Sequence, residues 1–176
     1  YLSPPDAPSA KLWTGVDDLS VAAWVTWDAS CLYFAAKVRD DRHVQERSGT
    51  GIWANDSFQI GLDALNDSPG PAFAGRSGYD PDDLEFGIAL TPGGPQTFQW
   101  TGGPDPNGRV LAAANLAVKR EGDATCYEWA LPWSEVKALK PRPGAIFGFN
   151  FVLIDADKPG ESAPYWMGLT PGICGG

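Results

Sequence analysis

Cys31–Asp40 reads CLYFAAKVRD, and its period of two is the strongest structural signal in the chain. Leu32, Phe34, Ala36 and Val38 fall on one face, and Tyr33, Ala35, Lys37 and Arg39 on the other. Successive side chains of an extended strand point to opposite sides, so this is a strand with one core face and one wetter face. Working outward, the pattern recurs in Asp56–Asp63 (DSFQIGLD), in Leu84–Thr91 (LEFGIALT), and in Phe147–Leu153, where Phe147, Phe149, Phe151 and Leu153 alternate with Gly148, Asn150 and Val152. Gly- and Pro-rich stretches at 66–78, 91–95, 101–108 and 141–144 separate the strands. The one helical candidate is a short turn at Trp133–Leu139, with Ser134 placed to cap it. Strands in series without intervening helices predict antiparallel pairing and an all-β, two-sheet β-sandwich. Residues 1–10 (YLSPPDAPSA) read as a linker or extended arm, and residues 11–176 as a single domain.

Composition agrees: 8 Trp, 8 Phe and 5 Tyr sit among 21 Gly and 16 Pro in 176 residues. A net charge of −9 disfavours nucleic acid and anionic membrane surfaces, which require cationic patches, and is compatible with a neutral glycan. No apolar run is long enough to insert into a bilayer. The start at Tyr1 and the stop in TPGICGG lead us to expect a segment of a longer protein. Cys31, Cys126 and Cys174 lack CxxC spacing, and either one disulfide with a free thiol or three thiols is compatible with them.

Catalytic patterns are sparse. The chain has a single histidine, His43, and no GxSxG, HExxH or phosphate-loop sequence. Glu85 and Glu128 form a candidate carboxylate pair for glycoside hydrolysis, although 22 acidic residues make some such pair expected by chance. Trp53 is different in kind. It lies in GIWANDS, a polar turn just before a strand, whereas Trp129 sits inside an alternating YEWAL run and reads as core. Trp100 and Trp166 also fall near strand ends. Indole faces stack on the apolar C–H faces of pyranose rings; the competing reading is that these rings plug the ends of the sandwich. Asp80, Asp82 and Asp83 in YDPDD crowd carboxylates into one turn, as a calcium site requires, or else form a solvated turn with Asx-type bonds. Asp155 and Asp157 make a second acidic pair.

Taken in order, Trp27-Asp28, LYFAAKVRDD (32–41), WANDSFQIGLD (53–63), YDPDDLEFG (79–87), YEWALPW (127–133) and GFNFVLIDAD (148–157) resemble the family-9 carbohydrate-binding modules and the related DOMON-like domains. The resemblance implies a jelly-roll-like sandwich and a noncatalytic, secreted or cell-surface module. It also implies binding of polysaccharide or oligosaccharide, bound structural calcium, and often a covalently linked catalytic domain. The family's platform Trp matches Trp53, and its hydroxyl-binding Glu matches Gln59, which strand alternation turns away from the core face. The chain departs from the family where the binding Arg and Asn would fall, near Gly87 and Ala89, and where the second platform Trp would fall, around 174–176. Trp100 or Trp166 is then the expected second platform, with Glu85 on the same polar face. The rivals are a small glycan-active hydrolase or lyase, and a structural or interaction domain without a sugar site. A further alternative from the DOMON-like resemblance pairs His43 with Met167 around a haem; the plainer reading of His43 is a solvated loop residue. Asn55 and Asn66 both begin N-glycosylation sequons.

Overall fold

The structure, a computed structural model, describes residues 12–67, 79 and 81–170. Its ten strands are β1 (Leu19–Trp27), β2 (Cys31–Asp40), β3 (Ser57–Asp63), β4 (Asp83–Thr91), β5 (Gly94–Thr101), β6 (Arg109–Val110), β7 (Asn115–Glu121), β8 (Ala124–Pro132), β9 (Gly148–Asp155) and β10 (Tyr165–Gly168). They form a four-stranded sheet ordered β1-β2-β8-β7 and a six-stranded sheet ordered β10-β9-β3-β4-β5-β6. Every pairing is antiparallel. The expected sandwich is thus the observed one. The arm read at residues 1–10, together with Asp80 and Cys174, lies outside the described residues.

The alternation read from the sequence is the alternation of burial. Leu32, Phe34, Ala36 and Val38 of β2 share one core with Phe58, Ile60 and Leu62 of β3 and with Leu84, Phe86 and Ile88 of β4. At its centre Phe58 meets Phe34 and Tyr127 edge-on, each with ring centroids 5.2 Å apart, a favoured aromatic geometry. Trp129 packs against Phe86 at 5.4 Å. Its indole N–H, which burial would otherwise strand, donates to Thr97 Oγ1 at 3.1 Å. Met167 belongs to the same core, so its sulfur is enclosed by apolar side chains rather than presented to a haem.

Strand β1 departs from this pattern. From Ala22 onward both its faces are solvent-accessible, and Trp24, Val25 and Trp27 are all exposed. The helical expectation at Trp133–Leu139 shrinks to a single 3₁₀ turn, Trp133–Glu135. It is preceded by Pro132 and has no side-chain cap from Ser134. Beyond the turn the chain is held by Val136 and Leu139, which anchor in the core.

Candidate functional site

The outer face of the six-stranded sheet is set by register. Cross-strand partners share a face, so Gly168, Val152, Gln59, Gly87 and Phe98 form one row across β10, β9, β3, β4 and β5. Trp166, Ile154 and Ser57 form the adjacent row. Gln59 points away from the core, as alternation predicts, and it is nonetheless only 6% exposed. Trp166 packs on Val152 and Ile154, with Ala163 alongside.

A 3₁₀ helix at Gly49–Ala54 lies against β3, β4 and β5 and carries Trp53. Ile52 and Ala54 turn inward and are buried, while Trp53 between them is 44% exposed. Several hydrogen bonds hold this helix. Gln45 Nε2 donates to the Ile52 carbonyl at 3.0 Å and to the Asp56 carbonyl at 3.0 Å. Trp100 Nε1 donates to the Thr50 carbonyl at 3.0 Å, and the Ala163 N–H donates to the Ala54 carbonyl at 2.7 Å. The backbone on either side of Trp53 is therefore tied to the body of the domain, and the ring stands on a rigid mount.

Gly87 shows what fills the space where the resemblance expects a binding Arg. A Cβ there would lie 2.3 Å from Trp100 Cη2 and 2.7 Å from Ile52 Cδ1. Trp100 and Ile52 occupy that volume, in a small cluster with Ala89 and Phe98. The two readings of Trp100 thus meet: its ring closes the sheet over Gly87 while remaining partly accessible. Glu85 lies on the same face one row further along, opposite Gly61 and Thr101. Burial raises its carboxyl pKa, partly offset by a hydrogen bond from Tyr79.

The structure therefore brings Gln59, Trp100 and Trp166 onto one face with Trp53 mounted over it, and leaves Glu85 at its margin. It separates Glu85 from Glu128. Glu128 projects from β8 on the outer face of the other sheet, in register with Ala35. Two packed sheets stand about 10 Å apart before their outward side chains are counted. The paired-carboxylate reading needs at most about 9.5 Å, and so it fails on geometry.

The acidic residues are also redistributed. Asp82 accepts from the Leu65 N–H at 2.9 Å and gathers with Asp63 and Asp67, one carboxylate oxygen of each lying within 4.8 Å of the others. Asp83 is instead buried on β4 opposite Asp63. Asp155 and Asp157 part company. Asp157 joins Asp18 and Asp41, whereas Asp155 is buried near Asp56 and Asp40, where burial and then repulsion by those two push its pKa up to about 8.

His43 is not a solvated loop residue. Its Nδ1 lies 3.1 Å from Asp56 Oδ2 and 3.8 Å from Asp40 Oδ2, and Arg120 pairs with Asp40 at 2.9 Å. Burial opposes the imidazolium, but hydrogen bonds and attraction from the two carboxylates outweigh it and raise the pKa to about 9. Burial holds Asp56 at about 6 despite His43. Asp56 is structural in role: its two oxygens accept from the Val44 and Ala156 N–H groups, each at 2.7 Å. That joins the loop before the 3₁₀ helix to the end of β9. Local sequence reasoning missed this network because its members lie up to 100 positions apart.

Asn55 is fully buried. Its side-chain amide donates to the Glu161 carbonyl at 3.0 Å and accepts from the Glu46 N–H at 3.2 Å. The folded chain offers no room for a glycan there, so the sequon at 55 does not compete with Trp53.

Comparison with known proteins agrees with this architecture. The family described as "Carbohydrate family 9 binding domain-like" matches residues 1–169. Endo-1,4-beta-xylanase A of Thermotoga maritima is 31% identical over 137 residues, covering 78% of this chain and 11% of the xylanase. The enzyme of the same name from Thermotoga neapolitana is 29% identical over the same share of each chain. This chain thus corresponds to about a tenth of either enzyme's length. Among solved structures, a family-9 carbohydrate-binding module from Caldicellulosiruptor kristjanssonii in complex with cellotriose superposes with a TM-score of 0.63 at 22% identity, covering 85% of this chain and 65% of that one. The module from that organism in complex with glucose gives a TM-score of 0.61 at 23% identity, with coverages of 85% and 66%. With a match over nearly its whole length, the chain belongs to the carbohydrate family 9 binding domain-like family, whose members are noncatalytic sugar-binding modules.

Proposed function

We propose that the outer face of the six-stranded sheet binds a neutral oligosaccharide or polysaccharide, with Trp53 as the principal stacking platform. The observation that carries this reading is a 44% exposed indole on a backbone tied down on both sides. An aromatic carried on a fixed backbone presents contact area at reduced cost in conformational entropy. Gln59, 6% exposed in the floor of this face, is the candidate for a hydroxyl contact, and Trp166 or Trp100 for the second aromatic wall. Cellotriose and glucose in the structural relatives, and the xylanase relatives, point to β-1,4-linked glucan or xylan as ligands. In a longer, secreted or cell-surface protein, such a module would concentrate a linked glycan-active domain on its polymer, which requires only modest affinity per site. Calorimetric titration with glucose, cellotriose and xylotriose tests this, and saturable binding of at least one is expected. No heat and no protection against thermal unfolding with any of them would overturn the reading.

We further propose structural calcium at the Asp82 turn, where Asp63 and Asp67 join it. Carboxylate oxygens in a turn are the hard donors that calcium selects, and the clustering of these three supports the assignment. A cation bound only to the native state stabilises by mass action. Chelation should lower Tm, and calcium but not sodium should restore it; an unchanged Tm would leave these residues as a solvated turn.

A further inference from the structure

The other sheet carries a second arrangement of the same chemistry. Register places Trp24, Ala35, Glu128 and Ala117 in one row across β1, β2, β8 and β7, and Thr26, Tyr33, Ala130 and Asn115 in the next. All eight share the outer face, because cross-strand partners and residues two apart point the same way. Alanines interrupt both rows, and the three of them leave a groove of about 590 Å³ lined by every member of the two rows except Trp24. That volume is in the range of small-molecule sites. Trp24, the cross-strand partner of the groove-lining Ala35, is 59% exposed at the end of its row, on a sheet face where solvated charged residues would be the ordinary occupants.

The groove is preorganised. Tyr33 Oη donates to Asp28 Oδ2 at 2.9 Å, and Asp28 Oδ1 is itself held by the Ser30 N–H at 2.6 Å and the Cys31 N–H at 2.9 Å. The Asp28 carboxylate accepts from this hydroxyl and raises the phenol pKa to about 12. Glu128 and Asn115 offer hydrogen-bonding groups over an apolar floor. The next row places Lys37 and Lys119 near Glu128, which leaves no one-signed field to select a charged ligand. Aromatic faces, small apolar floor residues and a few uncharged or balanced polar groups are what a pyranose chain can use.

From this juxtaposition we infer that the outer face of the four-stranded sheet is a second glycan-binding groove, for a neutral pyranose chain, with Trp24 and Tyr33 as stacking rings and Glu128 and Asn115 as hydroxyl partners. It lies on the opposite side of the sandwich from Trp53 and does not depend on that site. Two such faces on one domain would let it bridge chains or hold a polymer bivalently, raising avidity without new contacts.

The test is a two-dimensional amide NMR titration of the whole chain with cellohexaose and with xylohexaose, in wild type, Trp53→Ala and Ala117→Arg. One sugar should move the Ala35, Ala117 and Ala130 amides and the Trp24 indole with millimolar saturation. Trp53→Ala should leave those shifts intact while abolishing the ones near the 3₁₀ helix. Ala117→Arg, an exposed substitution that fills the groove, should weaken the four-stranded-sheet shifts at least tenfold and spare the others. Shifts confined to the Trp53 side would overturn the inference while leaving the first site standing. So would groove shifts that follow protein concentration without sugar, which would make a second copy of the chain the occupant, or an absence of groove shifts with both hexaoses. Groove shifts without any near Trp53 would instead remove the first site and keep this one.

Discussion

Replacing Trp53 by Ala separates a binding role from a packing role, and the structure sets the size of each effect. Truncating a fully buried Trp costs about 3–5 kcal/mol of folding stability. Trp53 already exposes 44% of its surface, so about half of that cost is expected, roughly 2 kcal/mol. For a domain of this size that lowers Tm by about 4–8 °C. The 3₁₀ helix itself should survive, because its anchors are the Gln45 and Trp100 side chains and the buried Ile52. Loss of a stacking platform should weaken cellotriose binding by about 2 kcal/mol, or roughly thirtyfold. Calorimetry at a temperature where the variant is fully folded measures the second effect free of the first. Affinity retained within about threefold, together with the loss of Tm, would refute the reasoning: Trp53 would then be a lid on Ile52, and the sugar site would lie elsewhere.

Gly87→Ala should destabilise the fold despite its small volume, because its Cβ would lie 2.3 Å from Trp100 Cη2. Combined with Trp100→Ala, the two losses of Tm should fall clearly short of their sum, because the second substitution removes the nearer of the two clashes; additive losses would show that Trp100 does not occupy that space. Stability should also fall as pH rises. Asp56 at about 6, Asp155 at about 8 and His43 at about 9 are all raised above their ordinary values. The folded state therefore binds more protons than the unfolded chain. The carboxyl contributions are lost from the ordinary Asp value of 3.8 up through about 6 and about 8, and that of His43 from 6.5 up through about 9. Tm measured across that span should decline, and Asp155→Asn should flatten the fall below pH 8; an unaltered slope would show that Asp155 is not the group responsible.

Much of this protein was legible along the chain, because a strand's faces alternate with a period that needs no tertiary information. CLYFAAKVRD is β2 from end to end, and Trp129 reads as core because its neighbours alternate around it. Gln59 could be assigned to the outer face for the same reason. The polar turn around Trp53 marked it as an exposed ring. Residue-to-residue proximity was a different matter. Glu85 and Glu128 read alike in sequence, yet the sandwich puts them on opposite outer faces. Asp82 finds Asp63 and Asp67 rather than a site with Asp83. Trp100 fills the space above Gly87, and the lone histidine closes a buried charge network with Asp40 and Asp56. These depend on which strands pair and in what register, and that is decided by burying both apolar faces at once. Local periodicity sets which way a side chain points; only the closed sandwich sets what it points at.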